Sequence, residues 1–134
     1  MPNDQKIYLE HFCYSSGLLV VPAAAGGVVN GVVNVAADAD FQANYMTIAV
    51  TQAGLLVATW GGTILISDSA TGKTFSNIAV PVQAYAGSGQ LPYPFNPPRI
   101  FRGNSSVTIT LTNNVVTATW AQIVFHGNKI RPVS

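Results

Sequence analysis

From Val107 to Thr112 the chain alternates strictly, with Val107, Ile109 and Leu111 set against Thr108, Thr110 and Thr112. Successive strand residues point to opposite faces, so this period of two puts branched aliphatics on one side and threonines on the other. The segment commits its part of the chain to a sheet with one face buried. Asn113-Asn114 follows. Asparagine accepts positive φ, so a two-residue hairpin turn is expected there, with Val115 to Phe125 returning antiparallel.

Upstream, Leu91-Pro92-Tyr93-Pro94-Phe95-Asn96-Pro97-Pro98 contains four prolines. They remove four N–H donors and fix φ, which predicts an extended crossover rather than a ladder strand. A short strand from Arg99 to Arg102 is expected after it.

Further strands are expected at Ile7 to Tyr14 (an edge), Leu18 to Val21 and Tyr45 to Val50, the last with Met46, Ile48 and Val50 on one face. Leu55 to Trp60 and Thr63 to Ser67 flank Gly61-Gly62, which reads as a tight hairpin. Asp68 to Lys73 reads as a turn, and Ile78 to Tyr85, interrupted by Pro81, as an edge or bulged strand. Residues 22–37 are rich in Ala, Gly and Val. They suit a small-residue arm, or a hairpin turning at Asn30-Gly31 between two Val-Val pairs. Eight or nine short strands with turns about every ten residues predict an all-β, single-domain sandwich of about eight antiparallel strands, and one long proline-rich crossing favours a jelly roll. The domain is expected to span residues 1–134, with 1–6 a polar lead-in.

Charged residues are only 8% of the 134, with apolar residues at 49%. Disordered chains are rich in charge and poor in aliphatics, so a folded domain is expected. A lone soluble monomer carries more surface charge than this, which points to a subunit covered by neighbours and to a homo-oligomer. Up to Gly72 there is one cation against five carboxylates, and from Lys73 onward five cations and no acid. Two readings stay open: charges scattered through one sandwich, or complementary patches on subunits that meet head to tail or sit on an acidic surface. Five spread cations are too sparse a footprint for nucleic acid. Cys13 is the only cysteine, so no intrachain disulfide forms, which suits an intracellular origin. No signal peptide is expected, because Glu10 and His11 interrupt the apolar approach, and Leu18 to Val33 is too broken by Pro22, Gly26, Gly27, Asn30 and Gly31 to cross a membrane.

Candidate chemistry is thin. His11 and His126 are the only groups suited to general base work near neutral pH, and no nucleophile-elbow spacing is present, so no catalytic residue is expected. His11 and Cys13 share a strand face, with Asp38 and Asp40 as further oxygen donors, yet two ligands are not a metal site and Asp38-Ala39-Asp40 lacks a full calcium loop. Ser69 to Thr74 ends in Gly-Lys-Thr like a phosphate loop, but Ser67 stands where its first glycine belongs. Trp60, Tyr85, Tyr93 and Phe95 offer aromatic surface of the kind that binds sugar, although a core or interface role is favoured for Trp60 and Phe95 and, more strongly, a core role for Trp120. No cofactor is expected.

The proline-rich crossing, Arg99-Ile100-Phe101-Arg102-Gly103-Asn104-Ser105-Ser106, Val107 to Asn113, and a long strand ending Phe125-His126-Gly127-Asn128-Lys129-Ile130 together resemble small jelly-roll virion proteins of tailed bacteriophages. Thr71-Gly72-Lys73, Phe41 and Tyr45 fit the same pattern more loosely, and the resemblance spans residues 38 to 131. It places a Gly-x-Lys-like turn after the last strand. What it implies is a head cement or decoration protein made in the host cytoplasm and carried on the capsid surface. Such a protein binds the major capsid protein as a dimer or trimer and has no catalytic residues. The expected partner contacts are Arg99 and Arg102, with Phe95 and Tyr93 beside them. One arginine is expected to face a neighbour and the other to stay near the sandwich or pair with Asp38, Asp40 or Asp68. The alternative is a receptor- or carbohydrate-binding module of a tail or spike, which exposed Trp and Tyr would favour. A small-virus coat protein would need a basic arm that Met1 to Lys6 does not supply.

Overall fold

A computed structural model of the chain describes residues 6–24, 26–52, 55–56, 60–82, 93–114 and 119–133. The 1–5 lead-in, Tyr85, the Ala86 to Gly89 loop, Leu91-Pro92 and residues 115–118 lie outside the described residues.

Two antiparallel sheets pack face to face. The six-stranded sheet contains β1 (Lys6–Ser15), β2 (Leu19–Val21), β4 (Asp40–Gln52), β5 (Leu55–Leu56), β9 (Tyr93–Phe101) and β11 (Thr119–Val133). In the five-stranded sheet lie β3 (Val28–Asn34), β6 (Gly62–Asp68), β7 (Lys73–Thr74), β8 (Val80–Pro81) and β10 (Ser106–Asn113). β1 and β2 share one edge of β11, β9 and β5 share one edge of β4, and β7 and β8 share one edge of β6. Each sheet is therefore effectively four strands wide, in the orders β1-β11-β4-β9 and β3-β10-β6-β8. Six of the ten connections between the described strands change sheet, and the two four-strand orders are those of the double Greek-key winding of a jelly roll.

Alternation places the core as the sequence predicts in β10, where Val107, Ile109 and Leu111 are fully buried and the threonines between them face out. Phe41, Met46, Phe101, Ile123 and Phe125 meet them from the other sheet. Each such side chain contributes about 1.5–3 kcal/mol by burial. The phenylalanines add edge contacts, Phe101 to Phe125 at 5.2 Å and 87°.

Several local expectations give way to this topology. Asn113-Asn114 is not a hairpin turn, because β10 and β11 belong to different sheets. Asn113 is fully buried: its side-chain N–H donates to the Pro22 carbonyl (2.9 Å) and its Oδ1 accepts from the Trp60 indole (3.3 Å). Those bonds anchor the end of β10 at a crossing between sheets. Nor does Gly61-Gly62 join a hairpin, since β5 pairs with β4 and β6 lies in the opposite sheet. Gly62 instead leaves room for the Trp60 ring, which a Cβ would strike. The 22–37 hairpin is also absent. Asn30-Gly31 sits in the middle of β3, where Gly31 accommodates Leu19, whose Cδ1 would lie 2.7 Å from an added Cβ.

The proline segment is a ladder strand after all. In β9, Tyr93 and Pro94 pair with Met46 and Tyr45, and Arg99, Ile100 and Phe101 with Ala43, Gln42 and Phe41. Residues between them bulge opposite Asn44, with a cis Asn96–Pro97 bond in the bulge. An edge position and a bulge both spare a proline from donating, so the missing N–H groups strand no acceptor. The Asp68 to Lys73 turn forms as expected: Asp68 accepts the Ala70 N–H at 3.0 Å and Gly72 takes φ 68°. No Gly-x-Lys turn follows the last strand, because Gly127, Asn128 and Lys129 lie within β11.

Candidate partner interface

The four side chains expected at a partner surface lie on or beside β9, and strand alternation divides them. Phe101 and Phe95 turn inward and are buried. Arg99 shares the inward parity of Phe101, but at the open rim, where its guanidinium lies 4.0 Å from the centre of the Phe75 ring. Ile100 is exposed on the opposite side, and Arg102, one residue past the end of β9, is exposed as well. Tyr93 is half-buried and packs edge-on to Phe95, with ring centres 6.0 Å apart. Arg99 and Tyr93, with Phe75, Asp68 and Lys73, line an open pocket of about 420 Å³ between the sheets.

Neither arginine has a carboxylate partner among the described residues. Asp40 accepts the Gly103 N–H at 2.8 Å, and Asp68 serves its own turn. Asp38 pairs instead with Arg131 (2.7 Å) and Lys129 (3.4 Å), while Glu10 pairs with Arg131 (2.9 Å). Burial works to raise the Asp38 carboxyl, but hydrogen bonds and charge from Arg131 and Lys129 outweigh it and hold it below the ordinary carboxylate value. Lys129 is 8% exposed and also lies 4.2 Å over the Phe12 ring. Two carboxylates of the acidic first half thus pair with two cations of the basic second half within one sandwich. These pairs join β11 to β1 and to the β3–β4 connection, away from the β3-β10-β6 sheet.

Trp120 departs from the core role expected of it: it is 48% exposed on the outer face of its sheet. Its cross-strand partner there is Val20, also exposed. The signal was in the sequence. Ala121, Ile123 and Phe125 form the buried set of β11, so Trp120, Gln122, Val124 and His126 fall on the other face. Trp60 is buried, as expected.

The second sheet has an outer face of a different kind. β3 contributes Val28, Asn30, Val32 and Asn34, β10 contributes Thr108, Thr110 and Thr112, and β6 contributes Thr63, Leu65 and Ser67. None of these side chains is charged. Thr110 donates to Asn30 Oδ1 at 2.7 Å, tying two rows of the face together.

Cys13 does not join Asp38 or Asp40. Its Sγ lies 3.4 Å from Nδ1 of His126, across the β1–β11 ladder, and Thr47 Oγ1 lies 2.9 Å from Nε2 of the same ring. Tyr45 stacks on that imidazole at 4.5 Å and 10°. Among the described residues no three His, Cys, Asp or Glu side chains converge as metal ligands. Desolvation, and then the nearby charge of His11, lower the His126 pKa. A histidine with a depressed folded pKa is neutral in the fold, so stability is full above the ordinary imidazole value of about 6.5 and falls as pH drops below it. Urea melts from pH 8 to pH 5 are expected to show this loss, and His126→Gln to reduce it. A wild-type chain that gains stability relative to His126→Gln toward pH 5 would contradict the assignment.

No protein-family model, curated protein or solved structure matches the chain.

Proposed function

We propose that this chain is a non-enzymatic structural virion protein that decorates and cements the capsid shell of a tailed bacteriophage, binding the major capsid protein as a homo-oligomer. The observation that carries the reading is the uncharged outer face of the β3-β10-β6 sheet. Interface centres are depleted of charge, and a Thr/Asn/Val surface packs against a neighbour without burying an unpaired ion. On the other sheet, Trp120 and Val20 present an aromatic-aliphatic pair of the kind that anchors protein contacts. The jelly-roll winding agrees with the resemblance that prompted the reading.

Co-sedimentation of the purified protein with empty phage heads tests it directly. Saturable binding that raises the temperature at which the heads rupture is the expected result. Absence of binding to any head preparation removes the proposal.

The two arginines sharpen the test. Arg102, exposed just past the end of β9 and close to the exposed Ile100, is the one assigned to the shell. Truncating an interfacial arginine costs about 2 kcal/mol or more, so Arg102→Ala is expected to weaken head binding at least about 30-fold while keeping the fold. Arg99→Ala loses a rim cation–π contact of about 0.5–1 kcal/mol and is expected to leave binding nearly unchanged. Equal, negligible losses at low and high salt would discard this mechanism.

A further inference from the structure

Three of the four sheet edges carry devices that block pairing with another chain. On the β9 edge these are Pro94, Pro97 and Pro98 within the strand and a bulge. The edge formed by β7 and β8 consists of two-residue strands bearing Lys73 and Pro81. On the edge formed by β1 and β2, Glu10 and His11 occupy β1 and β2 is only three residues long. Prolines, charges, bulges and short length are the means by which natural sheets prevent edge-to-edge association.

β3 has none of them. It runs seven residues, Val28–Asn34, without proline or charge, and among the described residues it pairs only with β10. Its backbone direction is fixed at both ends. The Val35 N–H donates to Ser105 and its carbonyl accepts from Asn104, while the Gly27 carbonyl accepts from Asn113. Peptide groups alternate along a strand, so those of Val29, Gly31 and Val33 also point to β10. The peptide groups of Val28, Asn30, Val32 and Asn34 point away from it. Val28 is 50% and Val32 51% exposed.

We infer that a second copy of this chain adds to β3 antiparallel, about a two-fold axis at Gly31, joining the two five-stranded sheets across a homodimer. A row of outward N–H and C=O groups calls for a strand as its partner. Self-complementarity selects the same strand. With the axis at Gly31, Val28 faces Asn34 and Asn30 faces Val32 on the outer side, while Val29 faces Val33 on the inner side. No like charges meet, and the isologous contact closes without leaving a free edge. This deepens the homo-oligomer part of the proposed function and rests on that part alone, since shell binding is measured separately.

Val32→Pro removes an N–H that points away from β10, so it blocks the edge without breaking the ladder within the chain. Val32→Lys, a change on an exposed side chain, tests the same edge should the proline variant fail to fold. Light scattering at micromolar concentration is expected to give twice the 14.1 kDa chain mass for the wild type and the single mass for the variants. Val20→Lys, on the other sheet, should remain dimeric. The Asn30 amide is expected to exchange with solvent slowly in the wild type and at least about tenfold faster in Val32→Lys. A wild type at single-chain or three-chain mass overturns the inference, as does a folded edge variant that stays dimeric. A dimeric wild type that ignores empty heads upholds the dimer and rejects the shell reading. A monomeric edge variant that still binds heads upholds the dimer edge and shows that shell contact does not require it.

Discussion

Ile109→Asp is expected to abolish folding. Ile109 lies at the centre of β10 with Gly31 on one side and Ile66 on the other, and it is fully buried. A carboxylate there has no cation within the core cluster, whose members are almost all hydrocarbon. Either the charge is buried or the acid is protonated at neutral pH, and both routes cost several kcal/mol. The lost isoleucine packing adds about 2–5 kcal/mol, against a total stability of about 5–15 kcal/mol for a domain. Thr108→Asp, one residue away on the outer face, is the control and should shift stability by less than about 1 kcal/mol. A soluble Ile109→Asp variant that melts cooperatively would show that β10 does not bury this face.

The second large effect is expected at Gly127. The register of β11 against β4 slips between His126 and Gly127, opposite Tyr45 and Ala43. At that bulge the two backbones approach so closely that a Cβ on Gly127 would overlap the Gln42 carbonyl oxygen. A backbone atom held in a ladder cannot rotate away as a side chain does. Gly127→Ala is therefore expected to destabilise by about 3 kcal/mol or more, at the upper end for overpacking, whereas Asn128→Ala should cost less than about 0.5 kcal/mol. Urea midpoints measure both. An alanine variant of wild-type stability would rule out the close approach at the bulge.

Gly127 also shows where reading the chain locally stops. A glycine followed two residues later by lysine resembles a turn, and so did Asn30-Gly31, Gly61-Gly62 and Asn113-Asn114. Among the described residues, Gly31 and Gly127 lie inside strands, and each serves a close approach by Leu19 or by the backbone of β4. Gly62 likewise yields to Trp60. A small residue is equally apt for a tight turn and for a crowded contact, and only the neighbour that crowds it separates the two.

The sequence by itself determined which face is buried where the alternation is strict. Val107, Ile109 and Leu111, and Ala121, Ile123 and Phe125, are buried because a period of two admits one apolar face, whatever the strand pairs with. Alternation also contained the exposure of Trp120, which its aromatic character had outweighed. Partner choice was decided by tertiary structure alone. β10 pairs with β3 and β6 instead of its successor in the chain, and the proline segment joins β4 because an edge and a bulge excuse its missing donors. The same holds for the surface: Arg131 finds Asp38 and Glu10 across more than ninety residues of chain, leaving one sheet face neutral and one strand edge open. Side-chain parity is a property of each strand alone. Pairing depends on which of many near-equivalent apolar strands bury the most surface together, and that comparison exists only in the assembled sandwich.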